Sequence, residues 1–330
     1  MSPETSQPAP GIVAIASYLP ARVELNSDLE ERFEFKPDFL EHKLGIERRY
    51  LCGPEEAVSD LAVAAAERLF EETGTAREAI GLVVVCTQNP DYKLPTTANL
   101  VQDRLGLPLS VAAFDFNQGC SGYIYGLALA TSMMSAHGID SALLITAEAY
   151  SKVIDPDDRG TVPLFGDGAA ATLLRTGGPG RLGRFVFGTD GGGAEHLRVL
   201  AGGSRHPDRA CVGADALQMN GREIFNFMLR RVPESVDRCL KLNGLQRDDI
   251  DLFVFHQASR YMVETLRTYM KLDPERVPLT MADGGNTVSS TLPMALETLG
   301  GLPALAGKRV LLSGFGVGLS WASTLLQIES

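Results

Sequence analysis

Two kinds of apolar pattern alternate along this chain. Leu82–Cys86 (Leu-Val-Val-Val-Cys) and Leu252–Phe255 (Leu-Phe-Val-Phe) are short runs, apolar at every position and rich in β-branched or aromatic residues. Such runs suit strands covered on both faces. Residues 111–116, 142–145 and 310–313 predict strands on the same ground. Between them the period changes. Over 56–72, Leu61, Ala64, Ala65 and Leu69 fall on one face at helical spacing, which predicts an amphipathic helix. Residues 122–136 carry no charge, and a helix apolar all round is expected to be buried. Residues 259–271 predict a further helix directly after the second run.

The two runs belong to a hidden repeat. Residues 77–85 match 247–255, Gly119-Cys120 matches Gly285-Asn286, and 142–145 matches 310–313, at offsets of 170, 166 and 168 positions. Three blocks in one order at nearly one offset imply two halves of one architecture. Each half reads helix, strand, loop, buried helix, strand. The expected fold class is therefore α/β, two duplicated halves whose sheets lie between helices and share a buried helical layer. The halves are expected over 11–176 and 184–330, divided by the glycine-rich stretch 176–184. Residues 1–10 (MSPETSQPAP) have neither the basic nor the apolar region of a signal peptide and are expected to form a flexible tail.

Composition narrows the function. The 330 residues are 45% hydrophobic and 22% charged, which excludes disorder as the main state. A net charge of −11 argues against a nucleic-acid partner. The five cysteines (52, 86, 120, 211, 239) and five histidines are dispersed, without C-x-x-C or H-x-x-x-H spacing, so no disulfide framework and no metal site is expected. The longest mostly apolar run, 310–326, is interrupted by three glycines and three serines and is too short to span a bilayer. The expectation is a soluble, cytoplasmic protein.

Three residues stand out chemically. Cys120 lies in Phe116-Asn117-Gln118-Gly119-Cys120-Ser121-Gly122, between a strand and the uncharged helix. The glycines suit a tight turn, and a helix N-terminus favours thiolate over thiol. His256 follows the second apolar run, where α/β folds place their sites. Asn286, in Gly284-Gly285-Asn286-Thr287, occupies the position equivalent to Cys120 in the other half. The repeat thus gathers strand ends from both halves around one pocket. Cysteine, histidine and asparagine suit acyl chemistry, with the thiolate as nucleophile and the other two donating to a developing enolate. Papain-like hydrolysis uses the same three types in the same order, so order alone leaves both open.

Further motifs extend the pattern: Ala16-Ser17-Tyr18-Leu19-Pro20, Leu44-Gly45-Ile46-Glu47-Arg48-Arg49, Asp155-Pro156-Asp157-Asp158-Arg159-Gly160-Thr161, Phe165-Gly166-Asp167-Gly168-Ala169-Ala170, His256-Gln257-Ala258 and Gly314-Phe315-Gly316-Val317-Gly318-Leu319-Ser320-Trp321. With these the chain resembles, from Gly11 onward, the β-ketoacyl-acyl-carrier-protein synthase III family of the thiolase-like superfamily. The resemblance implies a layered α-β-α-β-α fold and a decarboxylating condensation without metal or redox cofactor. Cys120 would take an acyl group from acyl-CoA or an acyl-carrier protein. His256 and Asn286 would hold the enolate from a malonyl-carrier protein, and the backbone N–H groups of Cys120 and Val317 would form the oxyanion hole.

The resemblance also assigns CoA or carrier contacts to Phe39, Lys43, Arg159, Ser259 and Arg260. It places Leu94 and Phe225 at the acyl pocket, Leu94 by reaching into the partner's pocket of a homodimer. Departures at Phe39, Lys43, Ser259, Tyr261 and Val317 imply a divergent member serving a specialised pathway. Three alternatives remain: a transferase passing the acyl group to an oxygen, nitrogen or carbon nucleophile without decarboxylation, a non-catalytic subunit of a heterodimer, and an unrelated thiol hydrolase.

Overall fold

In the computed structural model, which describes residues 8–36 and 38–330, both apolar runs are strands with parallel neighbours. The main sheet contains, in chain order, β1 (Pro10–Tyr18), β2 (Leu82–Cys86), β3 (Ala112–Phe116), β4 (Ser141–Glu148), β5 (Gly168–Thr176), β6 (Gly180–Leu182), β7 (Val186–Thr189), β8 (Leu252–Phe255), β9 (Arg309–Gly316) and β10 (Ser320–Ile328). Its hydrogen-bonded order is β8-β9-β10-β6-β1-β5-β4-β2-β3, with β7 added beside β10. The repeated blocks pair alike in both halves. Leu82 lies opposite Ala142 in a parallel pair, and Leu252 opposite Val310.

Seven helices matter for the site: α1 (Phe39–Leu44), α2 (Val58–Thr73), α3 (Thr97–Arg104), α4 (Gly122–His137), α5 (Gly221–Leu242), α6 (Arg260–Met270) and α7 (Thr291–Thr298). Successive strand residues face opposite sides of a sheet, so each strand feeds two layers. Val84 of β2 and Val254 of β8 face a central layer with Ile124 and Leu127 of α4 and Leu292 and Leu296 of α7. Val83 and Val85 face the opposite layer, formed by α2 and α3, in which Leu61, Ala65, Leu69, Ala98 and Val101 are buried. Phe253 and Phe255 face α5 and α6, through Phe227, Val232 and Leu266. This is the layered α/β arrangement expected from the repeat.

Two local expectations meet differences, and the dividing stretch 176–184 is itself structured. It contains β6, which pairs with β1 on one side and β10 on the other. There Gly11 approaches Gly178 so closely that a side chain would collide with the Gly178 carbonyl. At the N-terminus, residues 1–7 of the expected tail lie outside the described residues, and Pro10 already pairs with Thr176. The uncharged helix α4 is buried on one side only. Leu129 is 38% exposed, and Ser132, Ser135 and Ala136 are exposed too. Lack of charge marks a surface that tolerates burial, and within one chain half of that surface is uncovered. Among the described residues, no helix is long and apolar enough to cross a membrane.

Candidate active site

Cys120 lies in the turn that carries the chain from β3 into α4. Gly122 N–H closes the turn on the Gly119 carbonyl at 2.7 Å. Gly119 must lack a side chain, because a Cβ would collide with Val317 and approach Gln88 Oε1 to 2.7 Å. The end of β9 lies flat against the same turn. A Cβ on Gly314 would sit 2.5 Å from the Cys120 carbonyl, and one on Gly316 would sit 2.8 Å from its sulfur. Glycines of one half thus let its backbone touch the nucleophile of the other.

The resting sulfur is a thiol. Burial pushes Cys120 up to about 12, Glu148 adds to the rise, and the N–H groups of Cys120 and Val317 oppose it. The helix start favours thiolate as expected, but loss of water around a buried sulfur outweighs it. Both N–H groups are thus close enough to the sulfur to favour its charged form.

His256 leaves β8 with its own N–H on the Ser313 carbonyl at 2.9 Å and its ring edge-on to Phe315 at 5.6 Å between centroids. Burial pulls its pKa down to about 3, so the imidazole is neutral at physiological pH. Nδ1 lies 2.7 Å from Thr291 Oγ1, and that hydroxyl is also 3.1 Å from the Val288 carbonyl. Thr291 has one hydrogen for two acceptors. Donated to Nδ1, it leaves the ring proton on Nε2, as a donor to an enolate oxygen. Donated to Val288, it leaves Nε2 a lone pair able to take up a thiol proton.

Asn286 is fixed by its backbone, whose N–H meets the Leu164 carbonyl at 3.0 Å and whose carbonyl accepts from Gly166 at 3.1 Å. Its Oδ1 accepts the Val288 N–H at 2.9 Å. The amide nitrogen, a donor, is therefore the end left for substrate. Cys120, His256 and Asn286 line one narrow, largely apolar cavity together with Tyr150, Phe165, Ile224 and Met262. A larger cavity lies on the far side of Thr291, among Ser17, Arg68 and Glu297, and does not reach the sulfur.

The candidate binding residues lie outside that cavity. Tyr261 stacks on Phe225 at 5.5 Å, and the Lys43 ammonium stands 5.4 Å above the Tyr261 ring. Phe39 stacks on Phe35 at 5.4 Å, with the Arg159 guanidinium 4.7 Å from that Phe35 ring. Ser259 is buried, and its hydroxyl accepts the Met262 N–H at 3.3 Å to cap α6. Arg260 is half-buried and lies against Gly45. Leu94 is 85% exposed and does not line its own chain's cavity. Phe225 does not line it either. Ile224 does, because one residue along a helix turns the side chain by about 100°.

Sequence reasoning missed three residues of this site. Tyr150 lines the cavity and donates to Gln88 Oε1 at 2.5 Å. Thr291 orients the imidazole, and Glu148 lies buried beside the nucleophile. The trace of Thr291 in the sequence is the polar run Ser289-Ser290-Thr291 before an apolar helix, which reads equally well as a helix start, and no local pattern marks Tyr150 or Glu148.

A profile of the family 3-oxoacyl-[acyl-carrier-protein (ACP)] synthase III matches residues 114–191, and one of the family's C-terminal part matches 240–328. The beta-ketoacyl-[acyl-carrier-protein] synthase III of Caldanaerobacter subterraneus subsp. tengcongensis is 35% identical over 325 residues, 97% of this chain and 98% of that protein. A solved 3-oxoacyl-(acyl-carrier-protein) synthase III superposes with a TM-score of 0.93 at 42% identity, over 97% of this chain and 100% of the other. The priming β-ketosynthase of the R1128 polyketide pathway superposes with a TM-score of 0.90 at 29% identity, over 98% of each chain.

Proposed function

This chain belongs to the 3-oxoacyl-[acyl-carrier-protein] synthase III family, and on that premise we propose that it joins an acyl group on Cys120 to a malonyl-carrier-protein extender by decarboxylating Claisen condensation. The observation that carries this reading is the single cavity shared by a buried thiol, a neutral imidazole and an outward-facing carboxamide donor. The Cys120 thiol gives its proton to His256 Nε2 as sulfur attacks the thioester carbonyl of acyl-CoA or an acyl-carrier protein. The departing thiolate takes that proton, and exchange with solvent between the two stages moves the ring proton from Nδ1 to Nε2. The carbonyl oxygen, negative in the tetrahedral intermediate, faces the Cys120 and Val317 N–H groups. The malonyl thioester then loses carbon dioxide. The electron pair left behind becomes an enolate, held by Nε2–H of His256 and the amide of Asn286. Its carbon attacks the acyl-cysteine, the C–S bond breaks with its electron pair going to sulfur, and the Cys120 thiolate takes a proton from solvent as the β-ketoacyl product leaves. Decarboxylation supplies the carbanion, so the scheme calls on no metal or redox cofactor.

In this reading the working unit is a cytoplasmic homodimer in a specialised pathway. Among the described residues β3 pairs with β2 alone, leaving one hydrogen-bonding edge open. Beside it stand the exposed side of α4 and Phe187, 41% exposed and 4.8 Å from Tyr125. A second copy covering this surface brings Leu94 to the neighbouring acyl pocket. The carrier protein docks along α6, near Arg260 at its start and Arg267 in its last turn. The test is intact-mass analysis of Cys120 after exposure to an acyl-CoA panel, followed by malonyl-carrier protein. Carbon dioxide release with formation of a β-ketoacyl product is expected. Acylation without carbon dioxide release would instead indicate transfer to another nucleophile.

A further inference from the structure

The turn Val288–Ser290 follows Asn286 and holds both proposed enolate donors through one residue. Val288 N–H donates to Asn286 Oδ1 at 2.9 Å, and the Val288 carbonyl lies 3.1 Å from the Thr291 hydroxyl that touches His256 Nδ1. To present both groups this way Val288 adopts φ 55°, although it is β-branched and fully buried. A β-branched residue in the left-handed region is strained and persists only where its surroundings impose the conformation.

Those surroundings come from the other half of the chain. Ser289 Oγ donates to Glu148 Oε1 at 2.9 Å. Ser290 Oγ reaches the Thr146 carbonyl at 3.0 Å and Thr146 Oγ1 at 2.9 Å. Both partners stand at the C-terminal end of β4. Glu148 is fully buried, and its second oxygen accepts the Gln88 N–H at 3.0 Å in the loop after β2. The proposed chemistry does not call on this carboxyl, and burying it is costly.

We infer that Glu148 is a positioning residue for decarboxylation, pinning the strained Val288–Ser290 turn so that His256 and Asn286 present their donors together. The inference rests on the decarboxylating reading above. Burial raises the Glu148 pKa to about 8, and Cys86, Cys120, Tyr150 and Asp167 are the titratable groups around it. At neutral pH the carboxyl is therefore mostly protonated. Protonated on Oε1, it donates to Ser289 Oγ in place of accepting from it, while Oε2 still accepts from Gln88, so both bonds persist without a full charge beside the nucleophile.

The experiment compares wild type, Glu148→Gln and Glu148→Ala, with Ser289→Ala as a variant that breaks the same bond from the other side. Acylation of Cys120 is followed by intact mass, and decarboxylation by carbon dioxide release from malonyl-carrier protein. Glu148→Ala and Ser289→Ala should lower kcat for decarboxylation by on the order of 10²-fold, as for a donor displaced by about 1 Å. KM should stay within about threefold of wild type, and the acylation rate should fall much less than decarboxylation, since acylation uses His256 as a base but needs no donor from Asn286. Glu148→Gln can accept from Gln88 and donate to Ser289, and should recover most of the activity. In ¹⁵N-histidine spectra the His256 ring signals should move in Glu148→Ala and stay near wild type in Glu148→Gln. Equal losses in acylation and decarboxylation, no loss in Glu148→Ala, or a Glu148→Gln variant as impaired as Glu148→Ala would each overturn the inference. A wild-type enzyme that acylates but releases no carbon dioxide would instead sink the decarboxylating reading, and the two failures are thus distinct.

Discussion

Val288 N–H donates to Asn286 Oδ1 at 2.9 Å, which decides which end of that carboxamide meets substrate. Asn286→Asp separates the two ends. One carboxylate oxygen still accepts from Val288, so the turn should keep its shape, while burial of the new charge lowers stability in a way that is relieved as pH falls. The other carries charge in place of a hydrogen, beside a developing enolate. Decarboxylation should fall by at least about 10²–10³-fold, while acylation of Cys120 survives. Asn286→Ala should lose decarboxylation too, and also about 1–3 kcal/mol of stability through the orphaned Val288 N–H. Thermal melts alongside the two assays distinguish the variants. An active Asn286→Asp enzyme would remove Asn286 from the enolate site.

Cys120 is a high-pKa thiol, so its alkylation should be slow and steeply pH-dependent. Well below a pKa of about 12, the thiolate fraction rises about tenfold per pH unit. Iodoacetamide labelling at Cys120, read by peptide mass spectrometry between pH 7 and pH 9 (roughly the usable alkaline window), should climb without levelling. A plateau near neutrality would show a thiolate at rest. Cys120→Ala should abolish acyl-enzyme formation and leave the fold intact.

His256 should destabilise the fold in acid. Its pKa is about 3 in the folded chain against an ordinary value of 6.5. Between those values the unfolded chain binds more protons, so this contribution to stability grows as pH rises and is lost as pH falls. Glu148, raised to about 8 from an ordinary 4.5, works in the opposite sense, its contribution falling as pH rises between those values. Urea midpoints at two pH values bracketing acid, roughly two units apart, isolate the histidine. Relative to wild type, His256→Gln should gain about 2 kcal/mol on going from the higher to the lower pH. Parallel curves for the two proteins would mean that His256 is not buried and neutral.

Leu94, 85% exposed, tests the dimer. Leu94→Trp should narrow the neighbouring pocket and shift the acyl-CoA profile toward shorter chains, while sedimentation reports a dimer. A monomer, or an unchanged profile, would leave Leu94 an ordinary surface residue.

Arg260 and Arg267 flank the exposed face of α6 in a chain of net charge −11, so an acidic carrier needs a local basic patch to dock. Reversing both to Glu should raise KM for malonyl-carrier protein and reduce its salt dependence. Acylation by free acyl-CoA should hardly change. Equal loss with both substrates would assign the helix to folding or CoA binding instead.

Much of this molecule was legible in the sequence because the informative signals are local. Leu-Val-Val-Val-Cys and Leu-Phe-Val-Phe read as strands because short unbroken runs of β-branched and aromatic residues suit a strand covered on both faces. Cys120, His256 and Asn286 could be picked out because each follows a strand or sits in a glycine frame, and because the repeat places two of them at equivalent positions. What the sequence did not contain are quantities that depend on neighbours distant along the chain. Whether residue 224 or 225 faces the cavity is the phase of α5 against the strands, which no local pattern fixes. The thiol form of Cys120 follows from dehydration after the two halves close over it. Glu148 meets Ser289 across 141 positions, and Thr291 meets His256 across 35. Hydrogen bonds of that kind exist only once the sheets have docked. The residue types of the site are thus written along the chain, while their protonation and the directions in which they donate were decided by tertiary contact, because both depend on which groups replace water around them.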